Sequence, residues 1–212
     1  MASNPPYREI RALYDSETIT LYQAYPPSIA DPALASQRLD ASPAFLMPRM
    51  TWIKPSWNWM MYRSGYSFKD ANQSRVLATR IPHSLFRDIL LEAAVCRAGG
   101  LTEEEKKRDV RVQWDPERDV WGQGMEWRSL QVGLKGGAKE RFVRGVVGIE
   151  DVTGMARGMK SVLDTEGDLG VEEMRRRGLV PVERVYEVDD EARGWLEMDV
   201  DGEGGKREKR EG

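Results

Sequence analysis

The chain alternates between short apolar runs of two periods. Thr18 to Tyr25 (TITLYQAY) is rich in β-branched and aromatic residues and is followed by Pro26-Pro27, which predicts a strand ended by a turn. Ser28 to Ser36 fits a short helix. Met50 to Lys54 reads as extended, Pro55 suits the first turn of a helix, and Gly65 suits its C-terminal cap. Arg75 to Ile81 has strand character, and His83 to Arg97 has the spacing of an amphipathic helix closed by Gly99-Gly100. Val110 to Trp114 and Leu130 to Leu134 read as strands, and Gly136-Gly137 open a helix from about Ala138 to Val147. The interleaving is irregular and no repeat is visible. The fold class expected is therefore α+β, a single domain with a mixed or antiparallel sheet flanked by helices. The core is expected over residues 1–163, a covering segment with a helix and a strand over 164–198, and a disordered charged tail over 199–212.

Composition narrows this picture. The 212 residues suffice for one core, and 40% hydrophobic with 32% charged residues suits a water-soluble protein. No apolar run approaches a membrane span, and the start MASNPPYREIRALYD has neither a signal-peptide core nor transit-peptide character, so an intracellular, cytoplasmic protein is expected. Residues 164–212 hold 16 acids and 9 bases, a balance of −7, whereas the rest holds 19 acids and 23 bases, a balance of +4. The single Cys96 and single His83 exclude an internal disulfide and any metal site built on several cysteines or histidines. Cys96 reads as a buried structural thiol and His83 as a helix-start residue.

Charge also singles out one stretch. Ala41 to Lys69 contains Arg49, Lys54, Arg63 and Lys69 and no Asp or Glu, and it carries Trp52, Trp57, Trp59, Tyr62 and Tyr66. An anion is most welcome there. In the proposed helix Trp57, Met60, Met61 and Ser64 share one face and Trp59, Tyr62, Arg63 and Tyr66 another, so the helix is expected to be largely buried and its aromatics to serve as core. Lys54-Pro55-Ser56 places an ammonium, a hydroxyl and unpaired N–H groups at the positive end of that helix, a seat for phosphate; Ser56 is equally an ordinary cap.

Three segments carry a resemblance. Arg11-Ala12-Leu13-Tyr14-Asp15, IKPSWNWMMYRS from Ile53 to Ser64, and VQWDPER from Val112 to Arg118 resemble the signatures of the domain of unknown function 4291 family of bacteria and fungi, over about Arg8 to Val152. The resemblance implies no activity. Trp57 and Asn58 depart from the Phe-Leu of the family motif.

QWDPERD offers Asp115, Glu117 and Asp119 in a turn-like loop after a strand, either as catalytic acids or as solvated turn residues. The order of parts is loosely similar to that of ADP-ribosyltransferases, an ADP-ribosyltransferase-like variant of the α+β class. By that analogy Gln23 faces a nicotinamide ribose, Ser56 supports the ring pocket and Glu117 orients the attacking hydroxyl. The leading expectation is a nucleotide-binding protein and an ADP-ribosyltransferase-like transferase with NAD as candidate cofactor. Its catalytic residues are Glu117 and Gln23, and its ligand-binding residues are Arg11, Tyr14, Trp52, Lys54, Ser56, Trp57, Tyr62 and Arg63. The alternatives are a noncatalytic module for single-stranded nucleic acid or nucleotides, in which the same aromatics stack on bases, and a partner-binding domain without a small ligand.

Overall fold

A computed structural model describes residues 5–167 and 169–199. In chain order the elements are β1 (Arg11–Ala12), β2 (Thr18–Tyr25), α1 (Pro27–Ser36), β3 (Thr51–Ile53), α2 (Trp57–Ser64), β4 (Arg75–Pro82), α3 (His83–Leu91), β5 (Ala93–Val95), α4 (Glu103–Lys107), β6 (Val110–Arg118), β7 (Gly124–Leu134), α5 (Gly136–Gly145), β8 (Gly148–Asp151), α6 (Thr153–Thr165), α7 (Val171–Arg176), β9 (Arg184–Val185) and α8 (Asp190–Trp195). The architecture is α+β, with mixed and antiparallel sheets packed against helices.

Beside a two-stranded sheet of β1 and β9 there are two larger ones: the first has the order β2-β4-β8 and is antiparallel throughout, and the second has the order β3-β7-β6-β5 and is mixed, because β5 runs parallel to β6. The two meet where Tyr22 and Lys54 exchange backbone hydrogen bonds of 2.7 and 3.2 Å. That junction fixes Lys54 at the seam between the sheets. β6 and β7 form a long hairpin in which Gln113 lies opposite Gln131.

The alternation of β6 and β7 sends Val110, Val112, Trp114, Leu130, Val132 and Leu134 into the larger core cluster, with Ile10, Leu21, Ile53, Phe86 and Phe142. A second cluster gathers Tyr22, Trp57, Met60, Met61, Met159 and Met174 under α2 and α6. The helix α2 starts where Ser56 caps it, its hydroxyl accepting from the Trp59 N–H at 3.1 Å, and ends at Gly65, whose φ of +55° closes the turn onto the Met61 and Tyr62 carbonyls.

Several expectations are corrected by the long-range pairing. The helix expected over His83 to Arg97 stops at Leu91, because Ala93–Val95 are drawn into a strand beside β6, and Cys96 lies just after that strand, half-buried, with its thiol pushed up chiefly by burial. The acidic loop is absent: Asp115 and Glu117 belong to β6 itself. Beyond α6, where a covering helix and strand were expected, the described residues up to 199 hold α7, β9 and α8. β9 pairs with β1, and the Trp114 indole N–H donates to the Leu196 carbonyl at 3.0 Å, so this stretch is stitched to the core. The tail expected to be disordered lies outside the described residues from position 200 onward. Among the described residues no helix is long and apolar enough to cross a membrane.

Candidate functional site

A cavity of about 820 Å³ opens at the seam of the two sheets. β2 contributes Gln23 and Tyr25, β3 contributes Thr51 and Trp52, the turn into α2 contributes Lys54, and the paired strands β6 and β7 contribute Gln113 and Gln131. Arg49, Arg63 and Lys139 complete its basic side, and among the described residues Asp70 is the one carboxylate in the wall.

The polar floor is tightly bonded except at one buried atom. The Gln23 amide N–H groups donate to the Tyr25 hydroxyl at 2.7 Å and the Thr51 hydroxyl at 2.8 Å, and Gln131 donates to Gln113 at 2.8 Å and to the Asp115 carboxylate at 2.5 Å. The Gln23 carbonyl oxygen, on a residue only 2% exposed, accepts nothing. A buried acceptor left in that state costs free energy, which a bound donor would recover. Lys54 is a different case. It is 5% exposed, its ammonium lies 5.0 Å from the centre of the Trp59 ring, and among the described residues it has no side-chain hydrogen bond and no ion pair. Burial, helped by the Arg63 charge and opposed by Asp115, pulls it down to about 7.

Lys139 is buried by the same wall but is fully engaged, donating to the Leu46 and Arg49 carbonyls at 2.9 and 2.8 Å over the Phe45 ring; burial and the Arg49 charge pull it down to about 8. Arg49 and Arg63 are exposed at the rim, and neither has a carboxylate partner among the described residues; Arg63 only donates to Gln73 at 3.2 Å. Gly133 on β7 makes the cavity wall possible, since a Cβ there would stand 2.9 Å from both Met50 Sδ and the Trp52 ring.

The start of α2 is a separate site. The Ser56 hydroxyl donates to Glu117 Oε1 at 2.9 Å, the Arg118 N–H donates to the same oxygen at 2.7 Å, and the Trp57 N–H donates to Glu183 Oε1 at 2.5 Å. Two carboxyls therefore fill the seat that the sequence suggested for phosphate. Burial raises Glu117, against the Arg118 N–H and the Ser56 and Ser129 hydroxyls, and burial together with the Glu117 charge raises Glu183 well above the usual carboxylate range. Neither glutamate nor Ser56 lines the large cavity or a second one of about 570 Å³ beside Tyr14, Tyr22 and Arg80.

Of the residues chosen from the sequence, Gln23, Trp52, Lys54 and Arg63 come together in the large cavity. Ser56 and Glu117 meet each other instead. Arg11 is bonded to Glu9 at 2.6 Å, Tyr14 donates to the Val185 carbonyl at 2.8 Å, and Trp57 is fully buried against Tyr22. Tyr62 is exposed beneath the Arg118 guanidinium, 3.8 Å away.

A family model described as Domain of unknown function (DUF4291) matches residues 9–186. The chain belongs to that family. No functionally curated protein matches it. The match takes in every strand of this DUF4291 protein and both glutamates at the start of α2, and so extends beyond the Arg8 to Val152 span carrying the sequence resemblance. Sequence reasoning missed Tyr25, Thr51, Gln113, Gln131 and Lys139. A signal existed for the glutamines: the apolar alternation Val110, Val112, Trp114 and Leu130, Val132, Leu134 leaves Gln113 and Gln131 on the opposite face of the hairpin. Lys139 likewise sits between Ala138 and Phe142 on the apolar face of α5.

Proposed function

We propose that the cavity at the sheet seam binds a nucleotide or a closely related phosphorylated small molecule. The observation that carries the reading is its wall, in which among the described residues four basic side chains stand against one carboxylate and the buried Gln23 oxygen is left without a donor. Its volume suits a nucleotide-sized ligand. In this reading Arg49 and Arg63 hold phosphate at the rim, Trp52 offers a ring face to a base, and the amides of Gln113 and Gln131 with the Thr51 hydroxyl orient the polar edge.

NAD fits as one ligand of that class. The transferase part of the earlier expectation has less support, because Ser56 and Glu117, assigned to the ring and the attacking hydroxyl, are bonded to each other and face neither cavity. Glu117 acts here as a support for the helix start. Arg11, Tyr14, Trp57 and Tyr62 have protein partners and are not assigned to the ligand.

Isothermal calorimetry with NAD, ADP-ribose, ATP and adenosine tests the reading on the full chain and on an Arg49→Ala/Arg63→Ala double variant. Binding of the phosphorylated compounds, at least about tenfold weaker for adenosine and for the double variant, is expected from the loss of charge-assisted bonds. Absence of binding by any of them, or equal binding of adenosine, overturns it. A short single-stranded RNA that binds more tightly than every mononucleotide, with affinity falling steeply with salt, moves the conclusion to the nucleic-acid reading.

A further inference from the structure

We propose that Lys54 is a carbonyl-capturing amine, and that the cavity takes a phosphorylated aldehyde or ketone which it holds as an imine. The inference uses the cavity of the nucleotide reading and adds the chemistry of its one unengaged amine.

Four features of the surroundings lead to this. Lys54 Nζ is shielded from bulk water yet faces a cavity large enough for a ligand, so a carbonyl carbon can reach it. It is not held by a carboxylate ion pair, in contrast to the many surface Lys and Arg side chains of this chain that are, such as Lys106 to Glu103 and Arg75 to Asp31. It is also free of the carbonyl bonds that occupy Lys139, the other buried lysine of the same wall, whose ammonium is committed as a donor. Desolvation and the nearby Arg63 charge leave a large share of Lys54 unprotonated near neutrality, which is the state that attacks. The arginines at the rim then supply the second half of the specificity, a phosphate contact displaced from the reacting end.

The step balances without an oxidant or reductant. The Nζ lone pair attacks the carbonyl carbon and forms the C–N bond, while the carbonyl π pair takes up a proton and becomes a hydroxyl. The nitrogen then loses a proton and expels that hydroxyl as water, leaving C=N. The Gln23 oxygen, buried and without a donor, is suited to accept a hydrogen bond from the intermediate hydroxyl, and the proton that the nitrogen gives up is the one the departing hydroxyl takes to leave as water.

Pyridoxal 5′-phosphate is the probe, used on the full chain at neutral pH with borohydride reduction and peptide mass mapping. At less than one equivalent, the reduced adduct is expected predominantly on the peptide bearing Lys54, ahead of the exposed Lys69, Lys106 and Lys107. Pyridoxal, which lacks the phosphate, should label Lys54 at least about tenfold more slowly. A Lys54→Arg variant that melts as a folded protein should lose the imine absorbance and keep its charge. Labelling spread over the exposed lysines, or concentrated on Lys139, overturns the proposal, and so does equal labelling by pyridoxal. Nucleotide calorimetry reads the other claim separately: nucleotide binding with no Lys54 adduct removes only the imine, and a Lys54 adduct with no nucleotide binding removes only the nucleotide.

Discussion

Replacing Lys54 by methionine should make the protein more stable. The ordinary value of 10.5 and the folded value of about 7 differ by about 3.5 pH units. At roughly 1.4 kcal/mol per pH unit, holding the ammonium in that wall costs the fold roughly 5 kcal/mol, somewhat less at pH 7 where part of the population is already neutral. The sign follows from proton counting. Between about 7 and 10.5 the unfolded chain binds the proton and the folded one releases it, so stability is present above the unfolded value and is lost as pH falls through the folded one. Methionine keeps the apolar stem against Trp59 and removes the charge. Urea unfolding of wild type and Lys54→Met at pH 7, 8.5 and 10 isolates the effect, because the other lysines and the tyrosines titrate in both proteins. A variant several kcal/mol more stable at pH 7, with the gap closing toward pH 10, is expected. A gap of zero, or one that does not change with pH, refutes the account of Lys54 as an ammonium held against its solvation.

Glu183→Gln keeps the acceptor for the Trp57 N–H and removes a charge that is half-buried beside Glu117; since the folded carboxyl lies above its usual 4.5, wild-type stability falls as pH rises through that folded value, and thermal melts from pH 4 to 8 should show a shallower fall in the variant. Trp57→Ala empties a fully buried site beside Tyr22 and Met159 and should cost about 3–5 kcal/mol by chemical denaturation. Gly133→Ala drives a methyl into Met50 and Trp52 and should cost roughly 1–3 kcal/mol and weaken nucleotide binding measurably by calorimetry, because Trp52 must leave its place in the wall.

Local chemistry made part of this legible from sequence. Ser56 and Gly65 bracket α2 because a hydroxyl cap and a left-handed glycine act within a few residues of themselves, and Thr18–Tyr25 is a strand on its own composition. What failed was set by partners distant in the chain. Asp115-Pro116-Glu117 reads as a turn, yet β5 accompanies β6 only from Val110 to Val112, so the edge beyond is open and the missing proline N–H is not required there. Glu92 to Val95 continues a helical composition and is pulled into a parallel pair that composition does not encode. The same division holds for the site. The acid-free stretch pointed to Arg49, Trp52, Lys54 and Arg63, all of which line the cavity, whereas Ser56 and Glu117 lie apart from it at the start of α2, where a second carboxylate arrives from Glu183, a partner far along the chain.

That last contact also bears on the order in which the molecule can be completed as it is made. Trp57 and Glu183 stand 126 positions apart. A nascent chain can coil α2 and pair β2 with β4 early, but the first N–H of α2 has no carboxylate to meet until the segment carrying Glu183 has been translated and swung back along β1. During that interval the start of α2 faces Glu117 alone, so this end of the helix is completed only late in synthesis, after every strand that walls the cavity has already been made.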